Sequence, residues 1–320
     1  MGTDGRHPRR CRKPGASLRK SGRVLGPRLA GAILQNAVPV PAKILLATDL
    51  TAKSDRATER ALFLMTQWNA DLVAVHGVAP SNLPTADVER AARARGELRD
   101  QLRAVRERAS IRVEHTDAAD LLRRTAADEG CSTIVMGIAR RETLGGVELG
   151  DTIDNLLRDL AVPMLAVVKR ARAPYARICV AVDFSDASRN ALVTTCSLFP
   201  GQPLTLLHAY DAPGDLRAPD PEAYRQSFRP VACKQVDEFL AGVAFPAGAR
   251  PLLGIQVEPG EPARQIERWV RALDADLVVV GTRGRGRIAE LFLGSVARRV
   301  LELAPCDVLV IPPSVRFDIS

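Results

Sequence analysis

Residues 276–303 read DLVVVGTRGRGRIAELFLGSVARRVLEL. The apolar run DLVVVG has the length of one buried strand, and SVARRVLEL at the other end carries apolar residues at helical spacing. Between them lie three glycines and three arginines within residues 281–287, a short apolar run, and the pair Gly294-Ser295. Strand, glycine-bearing loop and helix in that order suit a parallel α/β sheet, whose strands are buried on both faces and read as near-unbroken apolar runs.

The chain contains this unit twice. STIVMG (132–137) resembles DLVVVG (276–281), and VPMLAVV (162–168) resembles CDVLVIP (306–312). Upstream, KILLATDLT (43–51) resembles RICVAVDFS (177–185), and LVAVHGV (72–78) resembles LTLLHAY (204–210). Counterparts lie 134 residues apart at Asp49 and Asp183, 132 at His76 and His208, and 144 at Gly137 and Gly281 and again at Gly150 and Gly294. A unit of roughly 140 residues is therefore duplicated, with about ten extra residues in the second copy. Helical spacing recurs at 56–68, 188–199, 222–243 and 265–273, with Pro230 placed to kink or divide the third of these. The alternation predicts an α/β protein: two tandem doubly wound five-stranded parallel sheets, each of strand order 3-2-1-4-5. The expected domains are residues 43–170 and 175–313, joined by the short basic linker KRARAPYA (169–176).

The net charge of +8 is confined to one place. Residues 1–42 hold nine Lys/Arg against the single acid Asp4, which leaves 36 of the 45 basic and 36 of the 37 acidic residues for the remainder. A Pro/Gly/Arg-rich stretch cannot bury a core, so it reads as a disordered basic tail in front of a neutral body. Contact with nucleic acid or acidic lipid, a non-functional extension and a cleaved signal are the open readings of it; Gln35, Asn36, Pro39 and Pro41 speak against the signal. No run of 18 apolar residues suggests a membrane span. The six cysteines are scattered without a C-x-x-C pair, so neither zinc nor a disulfide framework is suggested, and a reducing cytoplasm is the simplest expectation.

Three readings compete for 281–295. A P-loop needs G-x-x-x-x-G-K-[ST]; Gly281 and Gly286 have the separation, but Arg287-Ile288 follow, without lysine or hydroxyl. A Rossmann fingerprint fits as Gly284-x-Gly286-x-x-Ala289, but it follows the fourth strand instead of the first, and Asp307 begins a strand where an acid should end one. The third reading joins both ends. Ser295 is the expected N-cap of the following helix, whose amide groups and positive dipole end favour an anion. Gly294 lets a phosphate approach the backbone, and Gly281 and Gly284 allow a tight loop over it. Asp183 should face the same crevice at the carboxyl ends of the strands.

Gly281-x2-Gly284-x9-Gly294-Ser295 resembles the G-x2-G-x9-G-[ST] motif of ATP-binding universal stress proteins. The resemblance extends to VAVDFS, LLHA and CDVLVIP and so to nearly all of residues 43–313. It implies ATP as ligand, with Mg2+ able to accompany it. It implies contacts from Ala181, Asp183, Ala209, Gly281, Thr282, Arg283, Gly284, Arg285, Gly286, Arg287, Gly294, Ser295, Val296 and Ala297. Family members commonly pair two domains through the closing strand, which lies at a sheet edge, and an apolar edge invites pairing. The two copies are thus expected to form a pseudo-dimer within one chain, with homodimerisation also open. Copy one departs from the motif: Arg140 replaces the second glycine and Asp151 the Ser/Thr. Asp151 still suits an N-cap but places a carboxylate where a phosphate would sit, and Arg140 or Arg141 could pair with it. Copy one is accordingly expected to be structural, with an altered ligand as the alternative.

His76 and His208 have no Ser-His-Asp or metal-ligand spacing around them and read as packed, hydrogen-bonded strand-end residues, not catalytic bases. Arg283, Arg285 and Arg287 are candidates to neutralise phosphate. Residues 93–108 read as a helix with a solvated, mixed-charge face. The expected function is a nucleotide-binding stress-response protein that acts through binding and a protein partner the sequence does not name. The alternatives are a slow ATPase or nucleotide-transfer enzyme and a nucleotide-free scaffold. Nucleic-acid binding is disfavoured by the neutral body.

Overall fold

The structure is a computed structural model that describes residues 42–52, 54–138, 140–143, 146–245, 252–282 and 294–313, with the backbone alone for 140–143 and 146–148. The basic tail, Arg283, Gly284, Arg285, Gly286 and Arg287 lie outside the described residues, as do the side chains of Arg140 and Arg141.

The first copy runs β1 (Lys43–Ala47), α1 (Asp55–Trp68), β2 (Asp71–Gly77), α2 (Pro84–Gln101), β3 (Ala109–Glu114), α3 (Ala118–Asp128), β4 (Thr133–Gly137), β5 (Arg140–Thr143), β6 (Gly146–Leu149), α4 (Asp151–Arg158) and β7 (Met164–Val167). The second runs β8 (Ile178–Ala181), α5 (Asp186–Leu198), β9 (Leu204–Tyr210), α6 (Pro221–Ser227), α7 (Arg229–Ala241), β10 (Leu253–Pro259), α8 (Pro262–Ala272), β11 (Leu277–Gly281), α9 (Ser295–Leu303) and β12 (Asp307–Ile311). Pro230 does divide the predicted 222–243 helix: α6 ends at Ser227 and α7 restarts with the proline in its first turn, where its missing N–H costs nothing.

Both copies have the strand order 3-2-1-4-5, and they share one ten-stranded sheet, β3-β2-β1-β4-β7-β12-β11-β8-β9-β10. Every pairing within a copy's main sheet is parallel. The two closing strands meet antiparallel, Leu165 opposite Leu309, as the apolar edges led us to expect. Side chains alternate between the faces, as strand geometry requires. Leu165, Val167, Leu309 and Ile311 join a core under α1, α2, α5 and α7, whereas Met164, Ala166, Val308 and Val310 join a core under α3, α4, α8 and α9. Each core therefore crosses the seam between the copies. On the first face Trp68 adds a cross-copy bond, its Nε1 donating to the Leu198 carbonyl at 3.0 Å, with its ring 5.8 Å from Phe199.

Local chemistry sets the helix ends. α1 carries Ala57, Ala61, Leu64, Met65 and Trp68 on its buried face and stops at Asn69, which is left-handed at φ 51°. α3 and α8 occupy the same place in the two copies and are capped alike: Asp117 accepts from the Ala119 and Asp120 amides, Glu261 from those of Ala263 and Arg264. Two expectations need correction. The helix read over 93–108 ends at Gln101 and passes through one 3-10 turn, Arg103–Val105, because β3 must begin by Ala109. The loop between Gly137 and Gly150 contains an antiparallel hairpin, β5–β6, that a five-strand reading did not include, and β6 lies against α9 of the second copy. Among the described residues no helix is long and apolar enough to cross a membrane.

Candidate functional site

The first strand of each copy feeds a turn built around an aspartate. In the second copy, Asp183 Oδ1 accepts from the Ser185 amide (3.1 Å) and hydroxyl (2.6 Å), and Ser185 then caps α5 through the Ser188 amide. In the first, Asp49 Oδ1 accepts from the Thr51 amide (2.9 Å) and hydroxyl (2.8 Å) and from the Ser54 hydroxyl (2.5 Å). Partial burial works to raise the Asp49 pKa, but these hydrogen bonds outweigh it and hold the carboxyl below its ordinary value. The residue after each aspartate is left-handed without being glycine: Leu50 at φ 59° and Phe184 at φ 67°. That conformation costs a side-chain-bearing residue about 1–2 kcal/mol, so its presence at the same place twice marks an imposed turn. Nothing in the residue types signals it; glycine, asparagine or aspartate would be the usual clues, and neither Leu50 nor Phe184 is one of them.

His76 and His208 are packed as expected. Each Nδ1 lies 2.9 Å from a carbonyl in the neighbouring crossover, Thr48 for the first and Val182 for the second, so each Nδ1 carries the proton and donates. His208 also stacks on Phe184 with ring centroids 4.2 Å apart.

The fourth strand supplies the other wall. Ala181 ends β8, Ala209 lies near the end of β9 and Gly281 ends β11, and β8 is paired to both neighbours, so these residues stand along one end of the sheet. The Gly294 amide donates to the Thr282 carbonyl at 2.7 Å, which brings the start of α9 back to the end of β11. Gly294, Ser295, Val296 and Ala297 thus join Ala181, Asp183, Ala209, Gly281 and Thr282 at the carboxyl ends of the strands. Two details differ from expectation. Gly294, extended at φ −58° and ψ 144°, occupies the N-cap position and Ser295 is the first helical residue, so among the described residues no side chain caps α9. In copy one the same shift makes Gly150 the N-cap and leaves Asp151 exposed at the first helical position. An uncapped first turn keeps its amide groups available to an anion. Gly281 has a packing reason to be glycine: a Cβ there would stand 3.1 Å from the Ala187 carbonyl oxygen. The Thr282 hydroxyl oxygen is buried at the root of the loop without a hydrogen-bond partner among the described residues.

The first-copy crevice holds a cavity of about 200 Å³ between the ends of β1, β2 and β4 and the start of α4. Apolar groups such as Val75, Leu122 and Met136 line it, together with Thr48, Asp49, Ser54, His76 and Thr152. Asp151 is not among the lining residues, so its carboxylate does not fill the crevice as the sequence suggested. Among the described residues no group of three or more His, Cys, Asp or Glu is arranged to hold a metal ion.

The family model of the universal stress protein family matches the chain twice, over residues 42–168 and 174–312. A universal stress protein of Thermus aquaticus is 36% identical over 141 residues, covering 42% of this chain and 96% of that protein. The universal stress protein YxiE of Bacillus subtilis is 31% identical over 147 residues, covering 42% and 97%. Among solved structures, a universal stress protein from Archaeoglobus fulgidus DSM 4304 aligns with a TM-score of 0.58 at 18% identity, over 85% of this chain and 98% of that one, a likeness of fold. The single-copy relatives are each matched almost whole by less than half of this chain, and the family model accounts for both halves: the chain belongs to the universal stress protein family, as a tandem member with two copies of the domain.

Proposed function

We propose that the chain binds ATP in the crevice of its second copy and acts in stress response through nucleotide-dependent binding to a partner, not through turnover. Family membership supports the stress-response role. The observation that carries the nucleotide reading is the junction of β11 with α9: an uncapped helix start tied to the Thr282 carbonyl by the 2.7 Å bond from Gly294, beside the Asp183 turn. The triphosphate would lie against the first turn of α9, whose amides and dipole supply anion binding without a lysine. The Thr282 hydroxyl, which has no hydrogen-bond partner among the described residues, would supply a further donor at the root of the loop. Asp183 would accept from a ribose hydroxyl, and the Ala209 backbone would meet the adenine. Mg2+ accompanying the nucleotide would be held mainly by its phosphates. We take hydrolysis to be at most slow, because neither histidine has Ser-His-Asp or metal-ligand spacing around it in the sequence.

A second reading rests on the 200 Å³ cavity in copy one. Its apolar walls and its few polar groups suit a small ligand lacking a phosphate chain, in place of the purely structural role its broken motif implies. Acid extraction of the purified protein, followed by chromatography of whatever is released, tests both readings. An adenine nucleotide at one per chain supports the first; none released, together with no ATP binding on addition, would favour a nucleotide-free scaffold.

A further inference from the structure

The seam between the copies is built on a pseudo-two-fold axis. Leu165 and Leu309 occupy the same position in the two copies, 144 residues apart, and they face each other directly. On either side Met164 meets Val310 and Ala166 meets Val308, the exchange a two-fold axis produces. Near such an axis each residue meets its own counterpart. In a pair of like copies it would meet itself.

Asp154 and Arg298 are such counterparts, also 144 residues apart. They form a two-pronged ion pair across the seam, Arg298 Nη1 to Asp154 Oδ1 and Nη2 to Oδ2, both at 2.9 Å. Two first copies would set Asp154 against Asp154, and two second copies Arg298 against Arg298.

A second, independent asymmetry lies at the strand ends. Asp307 is fully buried. Its Oδ1 accepts from the amides of Val168 (2.8 Å) and Lys169 (2.9 Å), and its Oδ2 accepts from the Tyr175 hydroxyl (2.6 Å) and lies 3.5 Å from Arg60 Nε. All four of these groups belong to copy one or the linker. The counterparts of Val168 and Lys169 are Pro312 and Pro313, which have no N–H to give, and the counterpart of Arg60, 134 residues on, is Thr194. Copy one in turn carries Pro163 where copy two carries Asp307. Two second copies paired through β12 would bury two carboxylates without their donors. Two first copies paired through β7 would leave the Val168 and Lys169 amides of each without an acceptor.

We propose that this seam is selective: the β7 face of copy one takes a β12 face of copy two and rejects its own kind, so that the chain closes on itself through this edge and does not join other chains through it. Like-charge contact at the axis and unpaired buried polar groups at the strand ends act as the repulsive elements that such selectivity needs. Duplication has thus turned a self-complementary edge into a matched pair.

The test begins with the full chain carrying a protease site inserted between Ala171 and Arg172 in the linker. The folded protein is cut, mixed with an isotopically heavy cut sample in mild urea, returned to buffer and weighed by native mass spectrometry. Unlike pairs should form almost exclusively, with light and heavy halves exchanged; like pairs approaching the statistical share of one half would overturn the proposal. Should the halves fail to recombine, the intact chain decides. Asp154→Arg and Arg298→Asp should each lower the melting temperature, and the double reversal should recover most of the loss. Simple addition of the two losses would overturn the proposal.

Discussion

Replacing Asp307 by alanine should be among the most damaging single changes available in this chain. The carboxylate is inaccessible, and Arg60, 4% exposed, keeps its guanidinium 4.0 Å from the centre of the Tyr175 ring with one nitrogen bonded to the Ala173 carbonyl at 3.0 Å. Without Asp307 the guanidinium has lost its anion, and the amides of Val168 and Lys169 and the Tyr175 hydroxyl have lost their acceptor. Breaking a buried ion pair by removing one partner costs about 3–5 kcal/mol, chiefly because the other charge stays buried. At about 2.1 cal/mol/K of unfolding entropy per residue, a cooperative unit of about 270 residues shifts by about 2 °C per kcal/mol, so the melting temperature should fall by roughly 6–10 °C. Thermal melting followed by far-UV circular dichroism measures that fall and urea unfolding the loss in free energy, and one transition is expected since both cores cross the seam. Asp307→Asn, which keeps one acceptor oxygen, should fall between. A loss for the alanine variant below about 1 kcal/mol, with an unchanged urea dependence, would refute the assignment of this network as the anchor of the linker.

Burial pushes the Cys179, Cys196 and Cys306 thiols up to about 12 and Cys131 to about 11, so at pH 8 a thiol reagent should leave these four unmodified in the native protein and label all of them in urea. Ser54→Ala removes a hydrogen bond that holds the Asp49 pKa down; a depressed carboxyl stabilises the fold above its unfolded pKa and ceases to as pH falls through the folded value. The stability gap between wild type and variant should therefore be widest at neutral pH and narrow below about pH 4, as thermal melts across pH 2–7 would show; a gap independent of pH would contradict the role given to Asp49. Gly281→Ala should destabilise by roughly 1–3 kcal/mol in urea unfolding, because its Cβ would meet the Ala187 carbonyl at 3.1 Å where α5 crosses the strand end.

The fold was legible because its signals are local and repeated. Runs such as LVVV at 277–280 announce strands buried on both faces, and the constant offset of 144 residues between Gly137 and Gly281 and between Gly150 and Gly294 aligns the copies closely enough to place their closing strands in register. The candidate site was placed from the same pattern. What the sequence did not disclose depends on distant partners or on single backbone angles. Asp307 reads as a polar residue beginning a strand, and nothing near it points to Arg60, 247 residues earlier. The N-cap at Gly294 in place of Ser295 turns on one residue's extended angles, which a capping preference cannot fix. The left-handed Leu50 and Phe184 carry residue types that ordinarily avoid that region. The β5–β6 hairpin lies between Gly137 and Gly150, a stretch that the five-strand reading assigned to no strand.

The claim that the second-copy crevice is the nucleotide site is tested most directly by titrating ATP into the full chain in a calorimeter, alongside Gly294→Val and Asp151→Ser. Any side chain at Gly294 stands where a phosphate must approach the first turn of α9, whereas Asp151 is exposed outside the first-copy cavity. The account predicts one ATP per chain for the wild type, unchanged binding for Asp151→Ser, and at least a hundredfold weaker binding, an order-of-magnitude expectation of about 3 kcal/mol, for a Gly294→Val variant shown by melting to be folded. Two equivalent sites per chain, or normal binding by the folded Gly294→Val protein, would contradict it.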